Sequence, residues 1–358
     1  MHKLQPKVSI ITPLFNRQEL IKETHQSVIS QTYKNWEWII VDDGSKDNSW
    51  KVIKSFAQKD NRIKIIERNR MPKGATTCRN IGLETAKGKY VMFLDSDDLL
   101  VDFCLEQRVE YMQTEHDKYS FLVFPISTFN KKSKTAQERY IFNLPRQEND
   151  INRFLQKDYP WQTSSSLFLR EIIPKWNEKL PIYQDIDLHI HILSLRHNYR
   201  FVYTKPDVLL RDDVLEDRIS SQSNFSLKVL YAKRDLLQDI WKYIKENNKD
   251  SKEVKQDFSI FADNFMINML QSNNTDIFYR LVYSLWREEF YTTREAFKKI
   301  AILPVIDNAL HYTPLPLPLR FVRKFLNWQK VDLNYHRLRD NTATIGTVLE
   351  KEYIASLK

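Results

Sequence analysis

The chain has 358 residues, enough for one large or two ordinary domains, and 42% of them are apolar, so it carries a sizeable core and is not a disordered chain. Its two cysteines, Cys78 and Cys104, exclude a disulfide framework and have no metal-ligand spacing, and no run of about 18 apolar residues is present to form a transmembrane helix. The formal net charge of +9 fits nucleic acid, anionic lipid or an anionic substrate and does not choose among them.

Met1 to Lys7 leads directly into a strand with no apolar h-region, so no signal peptide is expected, and the two cysteines fit a reduced cytoplasmic setting. Val8 to Thr12 is a short apolar strand ended by Pro13. Asn16 and Glu19 have capping-box spacing before a helix with Leu20, Thr24, Val28 and Gln31 on successive turns. Trp36 to Val41 is the next strand. It stops at the turn Asp42-Asp43-Gly44-Ser45, where Ser45 or Asp47 is placed to cap a helix carrying Val52, Ile53 and Phe56. Arg62 to Glu67 reads as a third strand. Gly74 to Ala86 is a helix of small residues, stopped by Gly88 at a C′-like position. Four of the five glycines fall between Gly44 and Gly88, so backbone freedom is concentrated there.

Tyr90 to Leu94 is the fourth strand, and it runs straight into Asp95, Ser96, Asp97 and Asp98. A buried strand cannot hold three acids, so they sit at its mouth. Clustered carboxylates repel one another unless a cation lies between them. A hard divalent ion with phosphate oxygens is the usual partner, and an acidic loop capping the following helix is the plainer alternative. Strands alternating with helices at this spacing imply a mostly parallel sheet with right-handed crossovers. Ligands of such sheets bind beyond the carboxyl ends of the strands. Pro13 to Asn16, Asp42-Asp43 and Asp95 to Asp98 would then line one crevice.

The segment from Val8 to about Leu100 resembles the nucleotide-sugar-binding half of family 2 glycosyltransferases, which have the GT-A fold. The matching pieces are V-S-I-I-T-P-L-F-N-R at Val8 to Arg17, S-V-I-S-Q-T-Y at Ser27 to Tyr33 and I-I-V-D-D-G-S-K-D-N-S at Ile39 to Ser49. They continue with G-A-T-T-C-R-N-I-G at Gly74 to Gly82 and G-K-Y-V-M-F-L-D-S-D-D at Gly88 to Asp98. The resemblance implies an α/β, Rossmann-like, mostly parallel sheet flanked by helices. It implies that Asp43 reads the nucleobase, usually uracil, and that Arg79 lies near the nucleoside or phosphates. Asp95 is then expected to contact the ribose and donor, and Asp97 to bind Mn²⁺ or Mg²⁺. Pro13, Phe15, Asn16 and Ser96 are expected in the donor site, with Asp98 supporting it. The chemistry of the residues agrees. A carboxylate accepts the imide N–H of uracil, although Asp43 also suits a turn acid. Phe15 stands where the family often has Tyr and suits either base packing or core. Arg79 suits a phosphate fork or a surface ion pair.

The second region runs from Tyr119 to about Asp213. Phe121 to Ile126 is a strand broken by Pro125, and Asn130 to Asn149 reads as a long polar loop. Pro160 to Leu169 is a polar turn entering a strand. Tyr183 to Leu193 opens a helix with Asp185 and Asp187 near its start, which alone would fit capping acids. The family usually has Glu-Asp-x-Asp or Glu-Asp-x-Glu here, and the Asp after the Glu deprotonates the acceptor. The resemblance therefore makes Asp185 the base, with Asp187 orienting the site and Gln184 in place of the family Glu. Together with Trp161-Gln162-Thr163, this piece resembles a bacterial branch that decorates surface polysaccharides. His191 is a candidate cation facing the diphosphate, against a core or surface histidine. His189 and His191 are two apart and do not share a helix face.

Beyond about Glu216 no family motif is present. Ser226 to Asn247, Asp257 to Leu270 and Thr275 to Arg287 are amphipathic and are expected to pack as helices on the preceding domain. Thr313 to Leu319 is a stiff Pro-rich spacer, and Arg320 to Trp328 is a basic-aromatic segment suited to an anionic membrane surface at the inner face of the cell membrane, or to a dimer contact. The expected divisions are 1–118 for the donor half, 119–215 for the acceptor half, 216–303 for the helical region and 304–358 for the spacer and tail. The expected partners are a nucleotide-sugar donor and a glycan or lipid-linked glycan acceptor, with no nucleic acid. A sugar-phosphate nucleotidyltransferase is the enzyme alternative, but Pro13-Leu-Phe-Asn16 is not its phosphate loop. A nucleic-acid-binding protein is the other, but the basic-aromatic residues are confined to the C-terminal segment.

Overall fold

The computed structural model describes residues 7–115, 118–129, 141–142, 149–195, 197–211, 226–272 and 274–301. The expected spacer and tail, and most of the expected loop from 130 to 149, lie outside the described residues.

The first part alternates strand and helix: β1 (Val8–Leu14), α1 (Leu20–Ile29), β2 (Trp36–Asp42), α2 (Ser49–Lys59), β3 (Ile63–Glu67), α3 (Ala75–Thr85) and β4 (Tyr90–Phe93). β1 pairs in parallel with both β2 and β4, and β2 with β3. Every residue of β2 and β4 is buried, as parallel strands covered on both faces require. Glu37, buried within β2, is matched by the Ser9 hydroxyl and the Lys87 N–H at 2.6 Å each and by an ion pair with Lys64.

Three local expectations are corrected. Pro13 does not end β1, which runs on to Leu14. The Ile11 carbonyl accepts from Leu94 on the β4 side and the Leu14 carbonyl accepts from Asp43 on the β2 side, so position 13 faces the β4 side. There the pairing with β4 has already stopped, so the missing N–H of Pro13 interrupts no ladder pair. The capping box does not form: Glu19 is the N-cap of α1 with no side-chain capping bond, its carboxylate pairing with Lys22, and Asn16 instead accepts from Lys46 N–H at 2.8 Å. Gly88 is not a left-handed helix stop. A Cβ there would lie 2.6 Å from the Ser9 backbone nitrogen, so glycine is required for the close approach to β1.

The chain continues with β5 (Leu99–Leu100), α4 (Cys104–Glu115), β6 (Phe121–Val123), β7 (Ile126–Phe129), β8 (Ile141–Phe142) and α5 (Asp150–Leu155). A 3-10 turn at Thr163–Ser165 leads into β9 (Ser166–Leu169), then α6 (Gln184–Ser194), β10 (Tyr199–Phe201) and β11 (Val208–Arg211). Three helices follow: α7 (Leu227–Glu246), α8 (Lys252–Gln271) and α9 (Thr275–Arg287). The main sheet has seven strands in the order β10-β6-β9-β4-β1-β2-β3. Only β9 is antiparallel to its neighbours β4 and β6. The break at Pro125 sends β6 and β7 into different sheets, and β7 joins a second sheet ordered β5-β11-β7-β8.

One apolar core runs from Ile11, Val91 and Phe93 through Trp176 and Ile186 to Leu237, Phe258 and Leu281, so α7–α9 share their core with the main sheet. Each fully buried Leu, Ile or Phe contributes roughly 1.5–3 kcal/mol. A bidentate pair between Arg108 on α4 and Asp207 before β11 is fully buried, with bonds of 2.8 and 2.7 Å. The same guanidinium donates to the Ser164 carbonyl at 2.9 Å, which pins the 3-10 turn to α4. Loss of one partner of such a pair costs about 3–5 kcal/mol.

Candidate active site

The acids after β4 take three different environments. Asp95 keeps 45% of its side chain exposed, and its Oδ1 accepts from Arg79 Nη2 at 2.8 Å. Asp97 is largely enclosed. Burial first and the Asp95 charge second push its carboxyl above the usual range, with Arg17 and Arg211 pulling the other way. Asp98 is buried, accepting from the Arg211 backbone N–H at 3.2 Å and the Ser164 hydroxyl at 3.4 Å. Burial, then Asp97 and Asp95, raise it well above an ordinary carboxyl. Thr24 of α1 donates to the carbonyls of Ser96 and Asp98, both at 3.0 Å, and so fixes the acidic loop. Ser96 itself is buried.

At the end of β2 two adjacent acids divide the work. Asp42 makes the turn, accepting from Gly44 N–H at 3.0 Å, Ser45 N–H at 2.9 Å and the Ser45 hydroxyl at 2.5 Å. Asp43 is therefore not the turn acid. Its Oδ1 accepts from Arg68 Nε at 2.6 Å and from Gly74 N–H at 3.2 Å. Phe15 is 38% exposed and is not a core residue; the Lys73 ammonium stands 3.4 Å from its ring centroid. Asn16 has a left-handed φ of 51° and ties the end of β1 to the Asp42 turn through Ser45 and Lys46.

Arg79 is buried on α3 and lies 4.6 Å from the Trp176 ring, so it is not a surface ion pair. Besides Asp95 it donates through Nη1 to Gln184 Oε1 at 3.1 Å. Burial opposes its charge, but Asp95 and Asp185 outweigh burial and raise its pKa. Gln184 is fixed from its other end, where Nε2 donates to the Leu180 carbonyl at 3.0 Å. Asp185 lies in the first turn of α6, where the helix dipole favours a carboxylate, and its Oδ1 accepts from the Thr163 hydroxyl at 2.7 Å.

Asp187 and His191 point elsewhere. Asp187 is buried, and burial with the nearby Asp239 of α7 raises its carboxyl to about 7. Its Oδ1 has no hydrogen-bond partner among the described residues. His191 stacks on Tyr243 of α7 at 3.9 Å, and burial lowers its pKa against the pull of Glu246. The contacts of both described here run to α7 rather than to Asp95, Asp97 or Asp185. His189 is core: Trp161 Nε1 donates to its Nδ1 at 3.1 Å, and burial followed by Arg79 lowers its pKa to about 3.

Residues to which the sequence assigned no role complete this region. Arg68 directly follows the third strand, so the rule that ligands sit beyond strand ends already pointed to it. Thr163 lies in the polar turn before β9. Arg211 ends a strand that carried no sequence signal.

Among the described residues no three His, Cys, Asp or Glu side chains form a closed metal cage. Mg²⁺ and its relatives do not need one, since they take one or two carboxylates and fill the rest with water and substrate phosphate. Asp97, with its carboxyl pushed up by burial and by Asp95, is the group a cation would relieve, and the donor set fits such an ion.

Residues 9–175 match the family model described as glycosyl transferase family 2. The putative teichuronic acid biosynthesis glycosyltransferase TuaG of Bacillus subtilis is 40% identical over 123 residues, covering 34% of this chain and 48% of that protein. A UDP-Glc:alpha-D-GlcNAc-diphosphoundecaprenol beta-1,3-glucosyltransferase of Escherichia coli, WfaP, is 44% identical over 114 residues, covering 32% of this chain and 44% of its own. The chain thus spans about half the length of these curated relatives. In structure it is similar to S. aureus TarS 1–349 in complex with UDP-GlcNAc, with a TM-score of 0.55 and 14% identity over 85% of this chain and 90% of that one. Residues 9–175 therefore match a glycosyl transferase family 2 domain, carried on a GT-A fold with a helical C-terminal region.

Proposed function

We propose that the chain is an inverting, metal-dependent glycosyltransferase of polysaccharide biosynthesis. It moves a sugar from a nucleotide-diphospho-sugar, with uracil the expected base, to a hydroxyl of a glycan or lipid-linked glycan. The observation that supports this most is the Arg79 bridge. One buried guanidinium joins Asp95, at the donor strand end, to Gln184, the residue before Asp185. The names of TuaG and WfaP support the polysaccharide setting, and WfaP is named for a UDP-Glc donor and a diphosphoundecaprenol-linked acceptor.

In this reading Asp43 accepts the imide N–H of the base beside Phe15. Asp95 contacts the ribose and donor, and Asp97 would hold Mg²⁺ or Mn²⁺. When bound, that ion supplies Lewis-acid neutralisation of the leaving diphosphate. Asp185 takes the acceptor proton on Oδ2, because Thr163 holds Oδ1. The acceptor oxygen bonds to the anomeric carbon as the bond to the diphosphate breaks, and attack from the opposite face inverts the configuration.

A panel of nucleotide sugars tests the reading. Nucleoside diphosphate release with one donor is expected, with an inverted product by NMR. Release of inorganic pyrophosphate from a sugar phosphate and a nucleoside triphosphate would identify a nucleotidyltransferase instead. A product of retained configuration would remove the inverting mechanism.

A further inference from the structure

We propose that Arg68 is a positioning residue for base recognition: it holds one oxygen of Asp43 and the loop that follows, and so presents the other oxygen to the imide N–H of uracil. The inference rests on the donor reading above, in which Asp43 meets the base.

The loop from Arg68 to Gly74 begins and ends on a single atom. Arg68 Nε donates to Asp43 Oδ1 at 2.6 Å, and Gly74 N–H donates to the same oxygen at 3.2 Å. Gly74 does so at a φ of 153°, a conformation that side-chain-bearing residues rarely adopt. Arg68 also closes the loop from within, donating through Nη1 to the Arg70 carbonyl at 2.5 Å and reaching Met71 Sδ at 3.5 Å. Its own N–H donates to the Asp42 carbonyl at 2.8 Å, which anchors the start of the loop to β2. Near the far end of the loop, Lys73 covers the ring of Phe15. One segment therefore runs from the acid expected at the edge of the base to the ring expected at its face.

Beyond these two bonds, Asp43 meets the buried Cys78 thiol, whose pKa burial and then Asp43 push up to about 12, so the thiol stays neutral and offers the carboxylate only a weak S–H donor. The chemistry explains why an arginine stands here. A planar fork serves the carboxylate and the loop carbonyl together, whereas an ammonium on a flexible stem serves only one of them well. Without the fork, the buried carboxylate is free to rotate, and its aim at a base N–H is lost.

The test is binding of UDP and CDP, with Mg²⁺ or Mn²⁺, to the full chain and to Arg68→Lys, Arg68→Met and Asp43→Asn, with melting midpoints measured alongside. Uracil presents a donor at N3 and cytosine an acceptor, so the UDP-to-CDP ratio reads the aim of Asp43 directly. Arg68→Met is expected to weaken UDP about tenfold or more and to bring the ratio down to that of Asp43→Asn. Arg68→Lys is expected to fall between Arg68→Met and the wild type. If Arg68→Met does not fold, Arg68→Lys carries the test through its ratio. Variants that keep the wild-type ratio while Asp43→Asn loses it would overturn the role of Arg68 and leave the donor reading standing. A ratio unchanged in Asp43→Asn, or a wild type that does not distinguish UDP from CDP, would overturn the base contact itself and this inference with it.

Discussion

Arg79 Nη1 donates to Gln184 Oε1 across 3.1 Å, so α3 and the helix that carries Asp185 are joined through one guanidinium. The neutral Gln184 takes only a hydrogen bond from Arg79 and leaves its charge to Asp95 and Asp185. An Arg79→Lys variant keeps the charge but cannot span both partners. Its kcat/KM is expected to fall on the order of ten- to a hundred-fold, with the larger part in kcat, since the loss lies in orientation. Steady-state kinetics measure the split. A change confined to KM would place Arg79 in donor binding alone.

Asp97 is the expected cation ligand. Asp97→Ala, or excess chelator with the wild type, is expected to abolish transfer while circular dichroism and the melting midpoint stay close to normal. Removing an enclosed acid whose carboxyl is already pushed up by burial and by Asp95 should not unfold the chain. Full turnover in chelator would end the metal-dependent reading.

Asp185→Asn keeps the size of the side chain and can still accept from the Thr163 hydroxyl, but it cannot take a proton. Asn and Asp are comparable near a helix start, so stability should change little. The rate is expected to fall on the order of a hundred-fold or more, with donor affinity nearly unchanged. Near-normal turnover in this variant would remove Asp185 as the base.

Asp187 makes stability depend on pH. Its folded pKa, raised to about 7 by burial and Asp239, lies above the unfolded value, so the folded state binds the extra proton between roughly pH 4 and pH 7. Stability from this group therefore falls as the pH rises through that window and is flat above it. The full effect is on the order of 4 kcal/mol. Asp187→Asn is expected to raise the melting midpoint at pH 8 by several degrees, with the gain shrinking toward pH 4. Scanning calorimetry at several pH values checks this. A variant with the same pH slope as the wild type would show that Asp187 is already ionised in the fold.

The alternation of strands and helices up to β4, and the placing of Asp43 and Asp95 at strand ends, were legible because they depend on local apolar runs and on the geometry of parallel sheets. The helices near the C-terminus were legible for the same reason, and Thr275–Arg287 was read to the residue because its apolar period is unbroken. What the tertiary structure alone decided involves contacts across long stretches of chain. The Arg79–Gln184 bond spans 105 residues, and the Arg211 N–H that helps to enclose Asp98 lies 113 residues away. The second sheet was equally hidden, because two of its strands are only two residues long and carry no period. Asp187, one helical turn before His191, occupies a different face of α6 from Asp185. That face is set by α7 packing onto the helix, and nothing within Gln184–Ser194 indicates which face α7 covers.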